Sequence, residues 1–227
     1  MSNANLEAQT TNMDRARFNM VEQQVRTWEV LDQRVLDLLH NIAREDFVPA
    51  AYRGVSYADT SIPLEDGQFM LPPRVIARIM QALEPQRMDR VLEVGTGSGY
   101  LTRMLASLCA HVVSVECSAT LHAQAAARIK AQGIRNVTLV HGDALRGWES
   151  DSPYDAIALT GSVPELDPAI RQQLKLGGRL FAIIGRSPAM EAVLITRVSA
   201  DEWSTESLFE TVVEPLSGAE EPRRFRL

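Results

Sequence analysis

The sequence predicts a doubly wound α/β fold on a mostly parallel sheet, and three observations carry that expectation. Short β-rich runs alternate with helical segments through the middle of the chain. An apolar run opens directly into three glycines at alternate positions in VLEVGTGSGYL, Val91 to Leu101. Helical spacings before and after that loop supply layers for both faces of a sheet. With 227 residues, 45% of them apolar, the chain can bury the core of one ordinary α/β domain.

The elements follow in order. Residues 1–19 are polar, lack the apolar centre of a signal peptide, and are expected to be a partly disordered leader. Leu31, Val35, Leu38, Leu39 and Ile42 fall at helical spacing, which predicts an amphipathic helix ending before EDFVP. Pro72 and Pro73 suit a first helical turn, and Val75, Ile76, Ile79, Met80 and Leu83 share the face that follows. DRVLEV and HVVSVE read as strands, each followed by a helix: Leu101 to Leu108, then Thr120 to Gln132 closed by Gly133. VTLV and YDAIALT read as two further strands, and Leu166 to Leu174 as a helix. GRLFAIIG, EAVLITRV and SLFETVV are separated by short polar breaks, which predicts antiparallel pairing at the end of the chain.

Composition removes several function classes. There are 23 basic and 29 acidic residues, a charge of −6, with no long basic run, so a nucleic-acid partner is not expected. No run of about 18 apolar residues occurs, so membrane insertion is not expected. Cys109 and Cys117 lack metal-ligand spacing and point to reduced, core-type thiols and a cytoplasmic location. His40, His111, His122 and His141 are dispersed, which argues against a metal centre. Trp28, Trp148 and Trp203 are assigned to packing.

The glycine loop narrows the ligand. A dinucleotide fingerprint would need a small residue where Tyr100 stands, and a P-loop would need Lys then Ser or Thr at the helix start. Ser98 lacks the Gly-x-Ser-x-Gly setting of a hydrolase nucleophile. What remains, Glu93-x-Gly95-x-Gly97-x-Gly99, resembles motif I of class I S-adenosylmethionine-dependent methyltransferases. The resemblance implies a cofactor site made of Glu93, Gly95, Thr96, Gly97, Ser98 and Gly99. It adds Glu116 with Cys117 at the ribose, and Asp143 with Ala144 at the adenine.

A closer resemblance rests on MVEQQVR, VLDQRVLDLLHNIAREDFVP, YADTSIPLEDGQ, VLEVGTGSGYLTRMLA, PYDAIALTGSVPEL and LKLGGRLFAIIG. In order and spacing this chain is similar to the protein-L-isoaspartate O-methyltransferase family over roughly Met20 to Leu216. The resemblance implies a Rossmann-like sheet of seven strands, helices on both faces, an N-terminal helical extension and altered strand order at the C-terminal end. It divides the chain into the leader, residues 1–19, and one domain, residues 20–227. Within the domain, 20–85 would hold the N-terminal helices and substrate loop, 86–186 the cofactor core and 187–227 the last strands.

It also implies methyl transfer to the side-chain-derived carboxylate of isoaspartyl residues in damaged proteins, with Asp59, Gln68 and Leu71 on the acceptor side. The sequence departs from the family there. The family usually carries Thr-Ile-Ser-x-Pro after GQ, with a hydroxyl at the acceptor carboxylate; this chain has Phe69, Met70, Leu71, Pro72 and Pro73, so the hydroxyl position is Leu71. Arg74 is a candidate replacement donor. Where the family usually has two alanines, this chain has Gly161 and Ser162, and Ser162 is either a returned hydroxyl or a surface turn residue. Two alternatives stay open: the same cofactor with another acceptor, including a small molecule, or a non-catalytic module that binds S-adenosylmethionine.

Overall fold

The structure is a computed structural model that describes residues 12–219. Helix α1, residues 12–19, continues through a π-helical stretch, Met20–Val25, so helical structure begins inside the expected leader; residues 1–11 lie outside the described residues. Helix α2, Gln33–Asn41, starts later than its apolar spacing suggests because the Asp32 side chain accepts from Arg34 N at 2.9 Å and caps it. Leu31 is therefore left outside the helix and exposed, while Leu36 takes a buried place. Two short strands, β1 (Ile62–Pro63) and β2 (Phe69–Met70), pair antiparallel across the DG turn. Helix α3, Pro73–Leu83, begins on its proline as expected, and Val75, Ile76, Ile79, Met80 and Leu83 are all buried.

Then come β3 (Arg90–Val94), α4 (Tyr100–Leu108), β4 (His111–Glu116), α5 (Ala119–Ala131), β5 (Val137–His141) and β6 (Tyr154–Val163). Helix α6 is only Pro168–Gln172, shorter than predicted. Asp167 caps it at one end, and Leu174 at the other already belongs to β7, Leu174–Arg186. The last strands are β8 (Ala189–Arg197) and β9 (Trp203–Glu210).

The seven-stranded sheet has the order β5-β4-β3-β6-β7-β8-β9. Pairing is parallel from β5 to β7 and antiparallel at β7–β8 and β8–β9, so the C-terminal strands simply follow one another. Alternate residues feed two cores. Val91, Val112 and Ala156 pack on the face covered by α2, α3 and α4, whereas Leu92, Val113 and Ile157 pack on the face that receives Ile170 of α6. Strand order reverses between β4 and β6 on either side of β3, which puts a ligand crevice at the carboxyl ends of β3, β4 and β6.

Two irregularities shape that edge. Between Ala158 and Ser162 the β6–β7 register shifts, a bulge that aims Thr160 Oγ1 at the carbonyls of Val94 (3.0 Å) and Gly95 (2.6 Å). After β9 the chain leaves the sheet and Pro215 bridges to Ser162, which lays residues 214–217 across Gly161. A Cβ at Gly161 would meet Leu216 N at 3.0 Å and Glu214 O at 3.1 Å, so the second of the two departures from the family has a steric reason.

Candidate functional site

The crevice is an open cleft of about 660 Å3, and a smaller one of about 320 Å3 adjoins it; Phe69, Leu71, Gly95, Gly97 and Thr160 line both. The glycine loop forms the floor. Gly95 (φ +91°) and Gly97 (φ +53°) adopt backbone that side chains rarely take, and a Cβ at Gly95 would collide with Thr160 Oγ1. Gly99 (φ +84°) ends the loop and opens α4.

Glu93 is fully buried at the end of β3. Its Oε2 accepts from Thr102 Oγ1 at 2.5 Å and Ser114 Oγ at 2.6 Å, whereas Oε1 has no partner among the described residues. Burial pushes this carboxyl up to about 7, against the two hydroxyl bonds that favour its charge. Thr96 joins that network through Ser114 Oγ at 2.6 Å, and Ser98 Oγ accepts from Tyr100 N at 3.3 Å; both side chains are buried and both residues line the smaller cleft.

Glu116 ends β4 with Oε2 accepting from Gly97 N at 2.8 Å and Oε1 accepting from Ser118 N at 2.9 Å. Oε1 also accepts from Cys117 Sγ at 3.7 Å, Oε2 keeps a free lone pair, and the residue lines the larger cleft. Cys117 lines it too, as an exposed thiol that burial nonetheless holds above the usual range, so it is not the core thiol expected; Cys109 is buried. Asp143 accepts from Leu145 N at 2.9 Å and lines the cleft beside the buried Ala144. His141 instead pairs with the Cys117 carbonyl at 3.1 Å and is not among the lining residues.

The acceptor-side residues divide. Gln68 and Leu71 line the cleft. Asp59 does not: its carboxylate pairs with Arg74 at 2.8 Å, and the Arg74 guanidinium stacks 4.0 Å from the centre of the Trp28 ring. Arg74, the candidate replacement donor, is thus occupied away from the cleft. Ser162 fits neither expectation, because it is buried and its Oγ donates to the Val213 carbonyl at 3.1 Å. The bulge in β6 turns it inward.

Two features escaped the sequence reading. Residues 214–217 contribute Glu214, Pro215, Leu216 and Ser217 to the cleft wall, far from any motif. Arg44, fully buried, donates from Nε to the Ser56 carbonyl at 2.9 Å and from Nη2 to the Leu71 carbonyl at 2.7 Å. It clamps both ends of the segment that holds Asp59 and Gln68. Burial lowers its guanidinium to about 10. Its sequence setting, with Glu45 and Asp46 directly after it, gave no signal of burial.

Comparison with known proteins identifies the family. Residues 15–221 match the family model described as protein-L-isoaspartate(D-aspartate) O-methyltransferase. A protein-L-isoaspartate O-methyltransferase of Rhodopseudomonas palustris is 38% identical over 202 residues, covering 88% of this chain and 93% of that one. One from Vibrio parahaemolyticus is 40% identical over 185 residues, 82% of this chain and 86% of that one. Among solved structures, a protein-L-isoaspartate O-methyltransferase superposes with a TM-score of 0.74 at 26% identity, over 89% of this chain and 66% of that one. A Plasmodium falciparum protein described as a putative member, in complex with S-adenosyl-L-homocysteine, shares the fold with a TM-score of 0.74 at 20% identity, over 90% of this chain and 98% of that one. Among the described residues no helix is long and apolar enough to cross a membrane, and no group of three metal-ligating side chains occurs.

Proposed function

The chain belongs to the protein-L-isoaspartate(D-aspartate) O-methyltransferase family, and from that premise we propose that it methylates the side-chain-derived carboxylate of isoaspartyl residues in damaged cytoplasmic proteins, using S-adenosylmethionine. The single observation that carries the cofactor reading is Glu93 Oε1, a buried carboxylate oxygen with no partner among the described residues, beside the glycine loop in the wall of the smaller cleft. An ammonium group is the partner such an oxygen lacks, and the methionine end of the cofactor carries one.

The remaining donors and acceptors fit the other parts of that molecule. Gly97 leaves room for close approach and Gly95 lets the loop pack against Thr160, with Thr96, Ser98 and Gly99 fixing the loop around them. Glu116 Oε2 has a lone pair for a ribose hydroxyl, with Cys117 alongside, and Asp143 with Ala144 suits an adenine amino group. S-adenosylmethionine, when bound, supplies a methyl group on a positively charged sulfur.

No general base is needed. A carboxylate with a reference pKa of about 4 is ionised at neutral pH, so its oxygen lone pair would bond to the methyl carbon as the methyl–sulfur bond breaks and the neutral thioether leaves, with no proton to remove. The chain's work is alignment and exclusion of water. Phe69, Leu71 and Leu216 supply apolar wall, and Gln68 supplies an amide donor on the acceptor side. Asp59 contributes through Arg74 as a positioning residue.

The test is transfer of labelled methyl from S-adenosylmethionine to an isoaspartyl peptide, with the normal aspartyl peptide as control and S-adenosylhomocysteine binding measured in parallel. Selective, base-labile labelling of the isoaspartyl peptide is expected. Cofactor binding without labelling of either peptide would move the reading to another acceptor or to a binding role.

A further inference from the structure

The acceptor side of the cleft poses a problem of charge. Glu116, Asp143 and Glu214 are the ionisable carboxylates of the cleft wall, and among the described residues no lysine or arginine lines it, so the described wall offers a carboxylate acceptor only neutral donors. The usual hydroxyl is absent at Leu71, Arg74 is turned toward Asp59, and Ser162 toward the Val213 carbonyl. Thr160 Oγ1 is already committed to the carbonyls of Val94 and Gly95.

The β1–β2 ladder points to a replacement. Its register pairs Ile62 with Met70 and Pro63 with Phe69. Extrapolating this register one step beyond the two paired positions sets Ser61 opposite Leu71, and residues directly opposite in an antiparallel pair have Cβ atoms about 5 Å apart on one face. Ser61, Phe69 and Leu71 all line the cleft, while Ile62 and Met70 are buried in the core and Leu71 is buried at its edge. No hydrogen bond from another described residue engages Ser61 Oγ; only its carbonyl is used, by Thr60.

We propose that Ser61 supplies the acceptor-binding hydroxyl that position 71 lacks, donating to the isoaspartyl carboxylate from the neighbouring strand. Its hydroxyl would put donor chemistry on the patch of wall that Leu71 shares. This inference rests on the isoaspartyl reading above.

A hydrogen bond to a charged group corresponds to about a 10- to 100-fold change in rate. Ser61→Ala is therefore expected to lower kcat/KM for an isoaspartyl peptide at least 10-fold, with S-adenosylhomocysteine affinity within about twofold of wild type. Ser61→Thr, which keeps the hydroxyl, is expected to retain at least a third of the activity. In the Ser61→Ala background Leu71→Ser, which returns a hydroxyl to the facing strand, is expected to raise the rate at least threefold over Ser61→Ala alone.

Because Leu71 is buried, thermal unfolding must accompany its variants, and the Ser61 pair decides the matter if they do not fold. Wild-type activity in Ser61→Ala overturns the proposal, as does a 10-fold gain from Leu71→Ser alone. Absence of isoaspartyl labelling by the wild type, with cofactor bound, removes the isoaspartyl reading and this inference together.

Discussion

Replacing Glu93 by glutamine should make the cofactor-free protein more stable and the site weaker. Burial raises this carboxyl from 4.5 to about 7 in the folded chain. Below 4.5 both folded and unfolded states hold the proton and the group is neutral in its effect. Between 4.5 and 7 the unfolded state ionises first, so stability falls as pH rises, and above 7 the full cost of about 3 kcal/mol is present. Glutamine keeps an oxygen for Thr102 and Ser114 and carries no charge. At pH 8 the free variant is expected to gain up to about 3 kcal/mol, or roughly 6–12 °C in Tm for a domain of this size, and at pH 4.5 almost nothing. In the same variant the cofactor's ammonium would face an amide instead of a carboxylate, which lowers S-adenosylhomocysteine affinity about 10- to 100-fold. Thermal scans at both pH values and a calorimetric titration provide the readout. A variant no more stable than wild type at pH 8 would refute the uncompensated charge, and unchanged affinity would refute its role toward the cofactor.

Three other perturbations test separate parts of the site. Gly95→Ala places a Cβ against Thr160 Oγ1 and forces an L-residue to φ +91°. With about 1–2 kcal/mol of backbone strain and about 1 kcal/mol for each Thr160 bond disturbed, S-adenosylhomocysteine binding should weaken more than 100-fold in a calorimetric titration. Glu116→Ala leaves Gly97 N and Ser118 N without their acceptor, so affinity should drop at least 10-fold; retained affinity would show that the ribose lies elsewhere. Gly161→Ala presses on Leu216 N and Glu214 O, and is expected to raise the dissociation constant about 10-fold with only a few degrees lost in Tm; the same titration and thermal scan check it.

The parallel half of the fold was legible because its signals are local. HVVSVE is β4 residue for residue, and Pro73 with its apolar face defines α3. Errors arose where tertiary contacts outweigh spacing. Leu174 has helical neighbours but joins β7, and Asp32 moves the start of α2 past Leu31. In the site, the glycine loop, Glu116 and Asp143 were readable because each falls at the end of a strand in a parallel sheet. Ser162 was not, since a bulge reverses the inward and outward sense of the residues beyond it. Residues 214–217 were equally hidden, because their part in the cleft depends on a bridge to β6 formed across more than fifty residues of chain. Ser61 became visible only through the register of two strands that are each two residues long.

The clamp made by Arg44 has a consequence for how the cleft responds to its surroundings. Its partners are carbonyl oxygens of Ser56 and Leu71, and no carboxylate lies within ion-pair reach among the described residues. Surface ion pairs weaken as salt screens them over a Debye length of about 8 Å at physiological ionic strength, but a buried charge held by carbonyl dipoles is beyond the reach of mobile ions. With its guanidinium lowered only to about 10, it also keeps its proton through the neutral range. The mouth of the cleft should thus hold one shape from dilute buffer to concentrated brine, leaving ionic strength to act on the approach of a charged protein rather than on the pocket that receives it.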